Sequence, residues 1–130
     1  MRLIPVVLIF LGAAQPLAAK APLSQVPAID DKLMEVAIAD EIRKKCDGIN
    51  ARMFRALSRL NDLQDKARSM GYSKQEIDDY VTSKKEKRRM RGKAEAFLTA
   101  KGVNYKDRKA LCSFGKAEIK RQTGIGTLLR

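Results

Sequence analysis

The chain predicts an all-α fold: a small bundle of four to five helices with one disulfide, preceded by a signal peptide. Three observations predict it. Apolar residues recur every three or four positions beyond residue 30, no alternating run rich in Val, Ile and Thr competes for a strand, and two capping-box patterns punctuate the middle of the chain.

Residues 1–19 have the features of an export signal. Arg2 gives a positive start, Leu3 to Ala14 is a mostly apolar run, and Pro16, Leu17, Ala18 and Ala19 supply a break and a small-residue exit. The run is shorter than the ~20 residues that cross a bilayer. Cleavage is expected after Ala19. Cleavage after Ala21 ranks second because Pro22 would follow the scissile bond, and an uncleaved tether is the alternative. Export of this kind places the mature chain in the periplasm. Residues 20–130 are 111 in number, enough for one small domain and too few for two.

Residues 20–29, with Pro22 and Pro27, read as an extended leader to a helical domain over 30–130. Asp30 is expected to cap a first helix with the apolar stripe Met34, Ile38, Ile42, Cys46 and Ile49, which Asp47 and Gly48 end or kink. A second helix carries Met53, Leu57, Leu60, Leu63, Ala67 and Met70 on one side and stops at Gly71. Ser73 with Glu76 opens a short third helix presenting Ile77, Tyr80 and Val81.

Ser83 with Glu86 opens a fourth, which ends near Gly102 and buries Met90, Ala94 and Phe97. A last helix, from about Asp107 to Gln122, turns Leu111, Cys112, Gly115 and Ile119 inward. The tail residues Ile125, Leu128 and Leu129 then need a groove, and packing back on the bundle is favoured over presentation to another protein.

Two cysteines, Cys46 and Cys112, are an even number in an oxidising compartment and most simply form one disulfide. Closing a loop of 66 residues is worth about 4 kcal/mol in the chain-entropy model. No Cys-x-x-Cys spacing tunes a redox thiol. A metal site is not expected from two sulfurs and no histidine.

Residues 20–130 hold 26 Lys and Arg against 15 Asp and Glu, a net charge of +11. In the cytoplasm this balance would point to nucleic acid. After export it points instead to an anionic lipid surface, an acidic envelope polymer or an acidic protein partner, with an attraction that salt weakens.

Met70, Gly71, Tyr72, Ser73, Glu76 and Ile77, then a basic helix and Lys101 and Gly102, form one half of a recognisable pattern. Cys112 to Ile119, then Ile125, Gly126, Leu128, Leu129 and Arg130, form the other, with Cys46 upstream. The pattern resembles an uncharacterised family of small exported alphaproteobacterial proteins. The resemblance implies a domain of unknown function and brings no activity. It also admits an accessory role beside the respiratory NADH-quinone oxidoreductase as an alternative.

The usual imidazole base of hydrolases is missing, because the chain has no histidine. Asp30 with Asp31, Asp40 with Glu41, and Asp78 with Asp79 are adjacent pairs, so on a helix their members point about 100° apart rather than at one substrate. Glu118 is read as an ion-paired carboxylate rather than a catalyst. Tyr72, Tyr80 and Tyr105 fit boundary and core positions better than stacking platforms.

From Lys84 to Lys93, seven of ten residues are basic: Lys84, Lys85, Lys87, Arg88, Arg89, Arg91 and Lys93. Like charges on neighbouring turns cost helix stability unless something anionic compensates. This helix is the candidate anionic-partner site, against the plainer reading of a solvated face. The expectation is a periplasmic binding or accessory module without enzymatic activity or cofactor. A nucleic-acid binder is the alternative if export fails.

Overall fold

In the computed structural model, which describes residues 20–130, those described residues fold into five helices. The signal-peptide reading of residues 1–19 lies outside the described residues. The helices are α1 (Pro27–Lys45), α2 (Met53–Ser69), α3 (Lys74–Thr82), α4 (Lys84–Ala100) and α5 (Arg108–Arg121). Short 3₁₀ turns at Leu23–Gln25 and Gly126–Leu128 flank them. Among the described residues, the one extended pairing is an isolated antiparallel bridge between Ala51 and Leu129.

The expected extended leader is instead packed structure. Pro27 occupies the first turn of α1, where its missing N–H removes nothing from the hydrogen-bond ladder and its fixed φ suits a helix. The helix therefore starts three residues before Asp30, and Val26 is its cap residue. Leu23 and Ile29 are buried with Leu63, Ala67, Tyr72, Ile77 and Tyr80 in a small second core. The Tyr72 hydroxyl donates to the Ala21 carbonyl, and Lys20 pairs with Glu76 at 3.1 Å, fastening the leader to α3.

α1 is the central helix, packed against α2, α4 and α5. Its stripe Met34, Ile38 and Ile42 continues into Cys46 and Ile49, as the spacing predicts, and meets Met90, Ala94, Leu98, Leu111 and Phe114 in the main core. Phe97 is half-buried; Leu98, one residue on, takes the core position instead. α1 ends where the Asp47–Gly48 turn begins, and the Cys46–Cys112 disulfide joins that end to α5 across a Cα separation of 5.5 Å.

The caps follow the sequence. Ser73 and Glu76 form a reciprocal capping box, and the Asp107 carboxylate accepts from the Ala110 N–H at 3.1 Å. Ser83 accepts from the Glu86 N–H, while the Glu86 side chain turns to Arg89 rather than back to the cap. The tail packs inward: Ile125, Leu128 and Leu129 are buried, and the Arg130 and Asn50 backbones exchange two hydrogen bonds at 2.8 and 2.9 Å. Gly126 permits this approach, because a Cβ there would stand 1.8 Å from the Glu118 carbonyl oxygen.

α2 departs from expectation. Of its predicted stripe, Leu63 and Ala67 are buried, but Met53, Leu57, Leu60 and Met70 are exposed, and Phe54 beside them is 90% exposed. Periodicity reports that a helix has an apolar face; it does not report that the same chain covers it.

Candidate functional site

α4 divides its seven basic residues into two groups. Arg89 and Lys93 lie one turn apart beside the buried Met90–Ala94 stripe, so they reach inward over α1. The Arg89 guanidinium makes a two-pronged pair with the Asp30 carboxylate at 2.6 and 3.1 Å, and Lys93 donates to the same carboxylate at 2.6 Å. The Tyr80 hydroxyl completes the cluster by donating to Asp30, which is 1% exposed.

Asp30 thus serves as the anchor between α1, α3 and α4 and not as a cap. Lys93 also reaches Asp31, so this adjacent carboxylate pair converges after all: the long lysine chain spans the angle between them. Burial pushes the Asp30 carboxyl up, but the hydrogen bonds from Arg89, Lys93 and Tyr80 outweigh it and leave its pKa below the usual value. Burial and the bond to Asp30 raise the Tyr80 hydroxyl well out of the physiological range.

Lys84, Lys85, Lys87, Arg88 and Arg91 are exposed and form no ion pair among the described residues. Lys84, Lys87, Arg88 and Arg91 are spaced 0, 3, 4 and 7 along the helix, which puts them on one face. That face is a concentrated positive surface held in place by the inward pairs.

Beside it runs a trough whose floor is α1. Leu33, Ala37 and Asp40 line both a concavity of about 480 Å³ shared with α4 and one of about 300 Å³ shared with α2. Met53, Leu57 and Leu60 form the α2 wall, and Lys87 and Arg91 stand on the α4 side. The floor carboxylates are already partnered: Asp40 with Arg43 and Lys44, and Glu41 with Lys45 and the Tyr105 hydroxyl. These partners outweigh the opposing effect of burial and hold both carboxyls below their usual pKa.

The basic helix is legible in the sequence; the exposure of the apolar α2 wall is less so, because its spacing is that of any buried stripe. The adjacency of Phe54 to Met53 was the available signal, since the pair widens the apolar face beyond what one neighbouring helix covers. Glu118 is an ion pair, as expected, bonded to Arg121 and to the Thr123 hydroxyl at the start of the tail. Tyr72 and Tyr80 are buried and Tyr105 is half-buried. Among the described residues no cluster of His, Cys, Asp and Glu is arranged to hold a metal ion, and no helix is long and apolar enough to cross a membrane.

No curated protein and no solved structure matches the chain. A family pattern does, over residues 21–130, which is nearly all of the described structure. The chain belongs to the Family of unknown function (DUF5333).

Proposed function

We propose that the protein is an exported, non-catalytic binding module that docks on an anionic partner at the cell envelope through the outward face of α4. The observation that carries this reading is the division of α4 into an anchored side and an unpaired one. Lys84, Lys87, Arg88 and Arg91 crowd one face without an ion pair among the described residues, and the one carboxylate of α4 on that face, Glu95, lies a turn beyond Arg91. Such repulsion disfavours the isolated helix and is relieved by a bound anionic surface. Arg89 and Lys93 fix the helix to α1 through Asp30, so the charged face is presented in a set orientation. Residues 1–19 and the single disulfide support the envelope as its compartment.

Replacing Lys84, Lys87, Arg88 and Arg91 together by Glu tests the docking. At low salt the variant is expected to leave the envelope-bound fraction, and raised salt is expected to release the unaltered protein in the same way. Unchanged recovery of the variant with the envelope would end this reading.

A further inference from the structure

We propose that the trough between α2 and α4 receives one amphipathic helix of an acidic partner protein, its apolar residues against α2 and its carboxylates against Lys87 and Arg91. The proposal rests on the docking reading above and names the partner's chemistry. Leu33, Ala37 and Asp40 share one face of α1 and form the floor; Tyr80 and Val81 border its lower end. From Leu33 to Asp40 the shared floor is about 10 Å long, room for roughly two turns of a docked helix.

Charge and shape together select this occupant. Asp40 and Glu41 are satisfied within the chain, and Glu86 on the α4 side is paired with Arg89. The charges left over along the trough are Lys87 and Arg91, so a basic segment would be repelled, and an uncharged one would cover both cations without compensating them. The opposite wall offers Met53, Leu57 and Leu60, all exposed, and these reward an apolar stripe. A flat bilayer does not reach a floor set between two helices, whereas a helix laid in a groove does. The apolar run of residues 1–19 contains no acidic residue and lacks the complementary charge.

The test is photocrosslinking in cells, with a benzophenone side chain placed at position 57 in one variant and at position 87 in another. Both positions are expected to trap the same segment of one partner, with apolar residues every three or four positions and Asp or Glu along one flank. Leu57→Glu, a change at an exposed position, is expected to cut the yield from position 87 at least tenfold. Adducts with lipid, with a second copy of this chain, or with a segment lacking carboxylates would overturn the proposal, as would unrelated adducts from the two positions or none at all. If Leu57→Glu leaves envelope recovery intact while the α4 charge reversal abolishes it, the docking reading stands and the trough proposal falls. If neither change alters recovery, both fall.

Discussion

Asp30 on α1 and Arg89 on α4, 59 residues apart in sequence, meet at 2.6 Å in a site that leaves Asp30 almost wholly buried. This pair fixes how the basic helix sits on the bundle. It links an internal ion pair to the outer surface, because the side of α4 that binds Asp30 determines which side faces out.

Asp30→Asn removes the charge and keeps the shape, stranding Arg89 and Lys93 against a neutral amide. Loss of one partner from a buried pair costs about 3–5 kcal/mol; with both cations about a third exposed, the expected loss is at the lower end. Urea unfolding at pH 7 measures it.

Stability should also fall with acid. The folded pKa of Asp30 lies below its unfolded value of about 3.8, so the unfolded chain binds more protons there. The contribution is complete above the unfolded pKa and is lost as pH drops through the folded one. Asp40 and Glu41 act in the same direction. Melting temperatures between pH 6 and pH 2 should decline, and Asp30→Asn should flatten part of that decline.

Reducing the Cys46–Cys112 bond should lower stability by up to about 4 kcal/mol, a fall of roughly 10–20 °C in melting temperature. Thermal unfolding with and without dithiothreitol reads this directly. Alkylation of the protein taken from intact cells should find no free thiol.

Two glycines should respond in opposite directions. Gly126→Ala drives a methyl group into the Glu118 backbone and is expected to cost about 3 kcal/mol or more. Gly92 lies exposed within α4 with open space around its missing Cβ, so Gly92→Ala should stabilise by about 0.5–1 kcal/mol. Denaturant midpoints of the two variants give the signs.

Much of this architecture was legible because it is local. The Ser73–Glu76 box, the start of the last helix near Asp107 and the stop at Gly71 each act within a few residues, and the even cysteine count points to the staple. What escaped was non-local. Asp30 has a good cap's chemistry, and only the arrival of Tyr80, Arg89 and Lys93 from other helices makes it an anchor. The apolar side of α2 carries a core residue's chemistry at Leu57 and Leu60, and only the breadth that Phe54 adds beside Met53 marks it as more than this chain covers.

The most direct measurement compares two variants of equal net charge. One reverses Lys84, Lys87, Arg88 and Arg91 to Glu; the other reverses Lys74, Lys106, Lys109 and Lys120, which are exposed on other elements. Recovery with the envelope at low salt should collapse for the first and persist for the second. Equal loss in both would show that overall charge, rather than the face of α4, governs docking, and would contradict the account.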